Sequence, residues 1–409
     1  MSSPRCRFCD APLRVTFVDL GSTPLANSYV DPSRADEPDP TYPLHARVCE
    51  TCFLVQVEAV VPPDDIFSDY AYFSSVSDSW LDHARRFARQ ATVERGLDGT
   101  SLVIEIASND GYLLRHFGEL GIPTLGVEPA GNVAAAAQEL GIETIVEFFG
   151  TALAEQLVEA GRQADLVVAN NVLAHVPDLN DFVAGLALVL KPEGAMSIEV
   201  PHLLRLIEHV AFDTIYHEHF SYFSLHTIEK VFDAHGLAAF DVGELTTHGG
   251  SLRVWATHRG SAPVATARLE QVRADERATG IASVGAYSTF TTRVERCRDG
   301  FLAFLADSSS AGTTIAAYGA AAKGNTFLNW VGVTADDIRY VVDRSPHKQG
   351  LLLPGSRLPI HAPEHVAETK PDYLVILPWN LRDEIVAQMS VIRNWNGRFV
   401  VAVPAVERF

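Results

Sequence analysis

Residues Ser101 to Gly111 read SLVIEIASNDG, and the fold of the whole chain follows from that stretch. Ser101 to Ile106 is a short apolar, β-branched run ending in a small-residue turn, and Tyr112 to Phe117 continues with helical spacing. Strand, turn and helix in that order open a doubly wound α/β domain, whose ligand sits at the strand's carboxyl end. A dinucleotide fold carries Gly-x-Gly-x-x-Gly at this turn, because a pyrophosphate needs bare backbone amides at close approach. Here the turn has one glycine, Gly111, and three polar side chains, Ser108, Asn109 and Asp110, with Glu105 near the strand end. Those groups offer acceptors for an ammonium or a sulfonium rather than amides for phosphate. Glu128 closes the next strand, at the separation of about 20 residues where a carboxylate reaches a bound ribose. A ribose without pyrophosphate, carrying a cationic amino-acid tail, describes S-adenosylmethionine. The plain alternative is an α/β unit whose Asn-Asp-Gly only caps a helix and makes a turn.

The α/β alternation runs on from there. Strands are expected at Thr124 to Val127, Glu143 to Phe148, Ala164 to Ala169 and Gly194 to Val200, with helices at Val133 to Leu140, Ala152 to Glu159 and Asp181 to Leu190. Leu190 to Gly194 reads as a helix stop and turn. Asn170 and Asn171, and Phe148 at the end of its strand, fall on the carboxyl edge beside Gly111 and are expected to touch the cofactor. This order resembles a class I methyltransferase core.

The outer bounds agree with a multidomain enzyme. At 409 residues and 47% hydrophobic content the chain suits two or three domains with a core in each. A formal charge of −19 repels nucleic acid and anionic membranes, so neither is an expected partner. With no run long enough to span a bilayer and no apolar signal core at Met1 to Cys6, a soluble cytoplasmic protein is expected.

Four of the five cysteines form two Cys-x-x-Cys knuckles, Cys6/Cys9 and Cys49/Cys52. In a reducing compartment such thiolates suit a structural zinc with every coordination position taken by sulfur. A β-hairpin through Leu20-Gly21 and Pro32-Ser33 fits between the knuckles. Residues 1–75 therefore read as a zinc-binding domain, 76–260 as the cofactor domain, and 261–409 as a helical connector followed by a second α/β domain. The aromatic stretch Phe67 to Ser75, with Tyr70 and Tyr72, joins the first two. It is either domain packing or a cleft lining that presents tyrosine hydroxyls. A helix is expected over Ser79 to Arg95, with Trp80, Ala84, Phe87 and Ala88 on one face.

The excursion Asp213 to Ser224 holds Tyr216, His217, Glu218, His219 and Tyr222 in one loop. His-x-His could hold a metal, or the loop could be an aromatic lid with hydrogen-bonded histidines. The third reading is catalytic: a histidine of near-neutral pKa removes a proton from carbon next to a ketone, and a tyrosine hydrogen-bonds the enolate oxygen. His248, in His248-Gly249-Gly250-Ser251, enters the sheet's last strand on a hairpin and could face the same cleft or solvent. Thr313 to Asn325 is again strand, small-residue turn and helix, now with Lys323 at the turn and without the P-loop pattern. Tyr318, Gly319, Lys323 and Asn325 are expected to hold a diphosphate there, or the small residues only pack a helix on a strand. Asp343, Trp379 and Asn380 end two further strands on the same edge.

The two knuckles, Glu105-Ile106-x-Ser108-Asn109-Asp110-Gly111, Tyr216-His217-Glu218-His219-Phe220-Ser221, His248 to Ser251 and Lys323-Gly324-Asn325 together resemble the sugar C-methyltransferases of bacterial deoxysugar pathways. The resemblance covers essentially the whole chain. It implies methyl transfer from S-adenosylmethionine to C-3 of a nucleotide-linked 4-keto sugar, usually on dTDP, for decorating antibiotics. It also implies His219 as base, Tyr216 and Glu218 in support, and a tyrosine of the Tyr70/Tyr72 pair in the pocket. Ala107 departs from the family's usual glycine and is expected to crowd the cofactor slightly. Two other classes of function stay open: a nicotinamide-dependent ketoreductase, alone or bifunctional, and a zinc-ribbon scaffold.

Overall fold

The computed structural model describes residues 4–62, 73–76 and 78–409. Strands β1 (Val15–Thr23) and β2 (Tyr42–Val48) are the antiparallel hairpin between the knuckles, and β3 (Val55–Gln56) pairs with β2. Helix α1 (Asp78–Arg95) then buries Ala84, Phe87, Ala88 and Ala91 against the next sheet.

The cofactor domain follows as β4 (Val103–Ile106), α2 (Leu114–Glu119), β5 (Thr124–Val127), α3 (Gly131–Glu139), β6 (Thr144–Ile145), α4 (Thr151–Glu159), β7 (Ala164–Asn170), α5 (Leu179–Val189) and β8 (Leu190–Pro201). After α6 (Leu203–His209) and β9 (Ser221–Tyr222) come α7 (Leu225–Ala234), β10 (Leu237–Leu245) and β11 (Ser251–His258). The seven-stranded sheet runs β10-β11-β8-β7-β4-β5-β6, with β11 antiparallel between β8 and β10. This is the class I methyltransferase order, and it puts the β4 turn at the topological switch. Two local expectations are corrected. The strand expected over Glu143 to Phe148 shrinks to Thr144–Ile145, because it is the sheet's edge and pairs only with Gly126 and Val127. Leu190 to Gly194 is more than a turn: β8 starts at Leu190, opposite Ala164, and the ladder bulges before Ala195 meets Leu166.

Beyond it lie α8 (Ala267–Thr279), α9 (Phe290–Ala311), β12 (Ile315–Tyr318), α10 (Ala322–Val331), β13 (Val341–Val342) and β14 (Ile360–His361). The chain ends with α11 (His365–Thr369), β15 (Tyr373–Ile376), α12 (Arg382–Gln388), β16 (Arg398–Val401) and β17 (Glu407–Arg408). The order β14-β13-β12-β15-β16-β17 is parallel except at β17, with its switch at β12. The stretch read as a connector is also core. Phe290 of α9 stacks on Phe17 of β1 at 4.2 Å, and Phe301 packs on Phe327 of α10. One buried cluster thereby joins the first and last α/β units to the hairpin. No helix among the described residues is long and apolar enough to cross a membrane.

The four knuckle sulfurs lie within 4.8 Å of one another, with Cys6–Cys52 and Cys9–Cys49 each at 3.5 Å. That is far too long for a disulfide and near the edge of about 3.8 Å of a sulfur tetrahedron around zinc. Gln56 Nε2 donates to Cys6 Sγ at 3.1 Å and Thr51 N to Cys49 Sγ at 3.4 Å, the outer-sphere bonds that thiolate ligands take. The set fits a structural zinc and leaves it no open position. Elemental analysis of protein purified without added metal should return about one zinc per chain. Cys49→Ser should lose the zinc and unfold the N-terminal lobe; a fully folded, metal-free protein would contradict this.

Candidate active site

At the cofactor edge the backbone is bent to hold its acceptors inward. Ala107, Asn109 and Gly111 all have left-handed φ, of 54°, 50° and 75°. The first explains why a glycine would suit position 107: alanine there costs about 1 kcal/mol. Gly111 takes its left-handed φ without strain, and a Cβ there would have to displace the tip of Ile142 and would crowd Ala137. Glu128 accepts from Asn109 N and Ala130 N, each at 2.9 Å, and burial raises its pKa. A carboxylate has about four acceptor sites, so both oxygens still have room for ribose hydroxyls.

Among the described residues, Glu105 Oε2, Ser108 Oγ, Asp110 Oδ1, Asn170 Oδ1 and Asn171 Oδ1 are buried on this edge without a hydrogen-bond partner. Burial pushes the Glu105 carboxyl well above its ordinary value, with Tyr112 as hydrogen-bond partner. Orphaned acceptors need donors or cations, and this set fits the ammonium and hydroxyls of S-adenosylmethionine. Asn109 and Asp110 also hold the end of the connector in place, accepting from Ser74 N at 2.9 Å and Ser75 N at 3.0 Å. Ser108 lies fully buried under Gly126, and Phe148 is 46% exposed beyond β6.

The excursion between β8 and α7 brings the catalytic candidates together. His219 Nδ1–H donates to the Thr214 carbonyl at 2.9 Å. That leaves Nε2 as the acceptor for Tyr216 OH at 2.8 Å, with the rings 4.0 Å apart. His217 turns the other way: its Nε2–H donates to Tyr42 O at 3.2 Å, and burial lowers its pKa. The two imidazoles serve different partners, so the His-x-His metal reading fails. Glu218 does not reach the Tyr216–His219 pair through its carboxyl. Its Oε1 accepts from Asn27 Nδ2 at 2.7 Å, and burial lifts its pKa to about 7. Its carbonyl accepts from His175 Nδ1 at 2.8 Å, and the His175 ring lies edge-on to His219 with centroids 4.7 Å apart. His175 follows Asn171 on the loop leaving β7, which sets the cofactor edge next to the loop.

The C-terminal edge closes the other side. Lys323 Nζ donates to Asn380 Oδ1 at 2.9 Å and lies 5.3 Å from the Trp379 ring centroid, and burial lowers its pKa. Trp379 Nε1 donates to Asp213 Oδ2 at 2.8 Å, which ties this edge to the excursion. Asp213 is fully buried, which raises its pKa to about 6 although Lys323 opposes the shift. Asp343 accepts from Ala320 N and Ser345 N, each at 2.8 Å. Gly319 and Gly324 have no room for a Cβ against Pro378 and Leu377, so both glycines serve close packing. Two expected substrate residues have structural partners instead: Tyr318 OH donates to Gln388 at 2.9 Å, and buried Asn325 donates to the Ala26 carbonyl at 3.2 Å.

Tyr70, Tyr72 and the side chain of His248 lie outside what the structure describes. Sequence reading assigns no role to Asn27, Tyr29, His175, Asp213 or Lys348. Tyr29 OH donates to the Ala320 carbonyl at 2.6 Å, and Lys348 Nζ donates to the same carbonyl at 2.9 Å. His175 and Asp213 leave a signal: the first follows the Asn170–Asn171 pair, and the second opens the excursion already singled out.

Three family models match in succession: a zinc binding domain over 6–67, a methyltransferase domain over 80–241, and a C-methyltransferase C-terminal domain over 246–404. The chain is 36% identical over 399 residues to the C-methyltransferase NovU of Streptomyces niveus, covering 98% of this chain and 95% of that one. A ubiquinone biosynthesis O-methyltransferase of Rhodopseudomonas palustris is 32% identical over 115 residues, 28% of this chain and 44% of its own. The Synechocystis magnesium protoporphyrin IX methyltransferase with bound SAH has 15% identity and a TM-score of 0.35, covering 44% of this chain and 83% of that one. A relative matched along its length and a model for each part of the sequence make the chain a member of the C-methyltransferase family.

Proposed function

We propose that this S-adenosylmethionine-dependent methyltransferase methylates C-3 of a 4-keto-deoxysugar carried on dTDP, through an enolate, in the making of an antibiotic sugar. The observation that carries this reading is the Thr214–His219–Tyr216 chain of hydrogen bonds beside the cofactor edge. When bound, S-adenosylmethionine supplies an electrophilic methyl group, so the acceptor carbon must become nucleophilic. A ketone at C-4 acidifies C-3. His219 Nε2 removes that proton, and the Thr214 carbonyl holds the tautomer that keeps Nε2 basic. Tyr216 OH then turns from His219 to the enolate oxygen, where negative charge develops. Glu218 supports the pair through its carbonyl and His175. Glu128 takes the ribose, Phe148 offers an aromatic face to the adenine, and Glu105, Asp110, Asn170 and Asn171 take the amino-acid end. Lys323 anchors the diphosphate, with Lys348 near the same turn, so that C-3 faces the methyl. The nicotinamide alternative is disfavoured by the absence of Gly-x-Gly-x-x-Gly, and the scaffold reading falls with family membership.

The Tyr216–His219 hydrogen bond favours one further reading: Tyr216 takes the C-3 proton itself while handing its phenolic proton to His219. Deuterium exchange at C-3, with keto sugar and no methyl donor, separates the two. Under the first reading His219→Asn loses exchange and methyl transfer together, while Tyr216→Phe slows both by about 10² to 10³-fold but retains measurable exchange, because the base remains. Under the second, Tyr216→Phe loses exchange as well. Full activity of His219→Asn would remove it from the mechanism. Glu128→Ala should weaken S-adenosylmethionine about tenfold or more by calorimetry, since ribose hydroxyls lose their acceptor in a dry pocket; unchanged affinity would misplace the site.

Glu218 also makes stability depend on pH. Its folded pKa of about 7 lies above the ordinary 4.5, so the folded protein holds the extra proton and loses stability as pH rises between those values. Glu218→Gln should therefore gain on the wild type by about 2–3 kcal/mol between pH 4.5 and pH 8. Paired thermal melts across that range would show no widening gap if the carboxyl titrates normally.

A further inference from the structure

Glu276 lies in the last turn of α8, outside the excursion, and is 2% exposed. Its Oε1 accepts from His202 Nε2 at 2.8 Å and from Leu225 N at 2.7 Å, and its Oε2 from His226 N at 2.8 Å. His202 is the N-cap of α6, where the excursion leaves the sheet, and Leu225 and His226 begin α7, where it ends. We propose that Glu276 is a positioning residue for methyl transfer: one buried carboxylate clasps both ends of the 203–224 excursion and so fixes Tyr216, Glu218 and His219 for reaction. This rests on the proposed reading of that excursion as the catalytic loop.

The geometry separates the clasp from ordinary helix docking. Helix α8 is already anchored by buried Leu269 and Val272 and by Arg273, which donates to Glu229 of α7 at 3.0 Å. Glu276, by contrast, hydrogen-bonds the residues at which the excursion departs and returns. The two ends meet as a short parallel bridge of His202 with Phe223, in which Leu203 N donates to Phe223 O at 2.8 Å, and the Glu276 carboxylate adds a side-chain link across the same point. All three of its bonds are charge-assisted, and the helix start of α7 favours a carboxylate at that position. A glutamine cannot replace it: its NH₂ would meet a backbone N–H, donor against donor. Displacement of about 1 Å at a reacting group is enough to lose about 10²-fold in rate.

In the full-length, zinc-loaded protein, Glu276→Gln should bind S-adenosylmethionine within about twofold of wild type by calorimetry, because its affinity is set at β4, β5 and β7. Its kcat for the keto sugar should fall at least about tenfold with KM little changed, and amide exchange over 212–223 should quicken by about as much while β4, β5 and β7 stay protected. Wild-type kcat with unchanged exchange over 212–223 overturns the clasp, and so does a uniform loss of protection, which makes Glu276 a general stabiliser. If that variant does not fold, His202 decides. His202→Phe breaks one end and should lower kcat, and His202→Gln restores an N–H donor and should recover it; wild-type kcat in both overturns the proposal. His219→Asn with full activity would instead overturn the reading of the loop as catalytic, and the exchange result would still judge the clasp.

Discussion

The position of the catalytic candidates depends on a two-residue strand pairing. Val55 and Gln56 of β3 pair with Tyr222 and Ser221 of β9, and Val57 N adds a bond to Phe220 O at 3.1 Å. Gln56 also donates to Cys6 Sγ and accepts from Arg7 N at 2.9 Å. The metal knuckle therefore fixes the backbone just after His219. So short a pairing has little stability of its own, and the zinc supplies what the hydrogen bonds lack. Leu54 and the knuckle cysteines also pack against Phe223 and Leu225 in the core of the cofactor domain. The zinc-binding lobe is thus a wall of the candidate site.

Local pattern makes much of this legible. Val103 to Gly111 declares its strand and turn because a buried parallel strand is a continuous apolar run, and the polar turn shows which chemistry is to be bound. The knuckles are legible because cysteine spacing is itself the ligand geometry. The Tyr-His-Glu-His cluster marks the loop, but the direction of each side chain is hidden. His217 and His219 are two residues apart and face opposite partners, and the Glu218 carboxyl turns to Asn27 because only tertiary packing decides what a loop residue meets.

What stays hidden lies at junctions. Asn27 and Tyr29 sit in a polar stretch with no motif, yet one donates to Glu218 and the other to Ala320, bridging the 213–224 loop and the last sheet. Asn325 reads as a ligand contact because it follows a lysine at a helix start; its amide instead ties that helix to Ala26. Residue type and spacing reveal that this turn is special without revealing whether its partner is a ligand or another domain. The stretch 264–306 misleads for a related reason. A charged helical face looks like a linker until its other side, with Phe290, Phe301 and Phe304, is seen to close a shared core.

The same junction holds costly electrostatics. Asp213 is fully buried, with Trp379 as its side-chain donor, and Lys323 is buried close by with Asn380 as its partner. Burying two charges costs several kcal/mol apiece, and apolar replacements of similar volume are often neutral or stabilising. A fold selected for stability alone has no use for this arrangement at the seam between its sheets. A ligand with negative charge at one end and a reactive centre at the other does: phosphate oxygens would pair with Lys323 and leave Asp213 facing the loop. On that reading, binding relieves the cost of burying Lys323, and the relief is available only to a substrate long enough to reach both sheets. The seam would then help select a nucleotide-linked sugar over a free one.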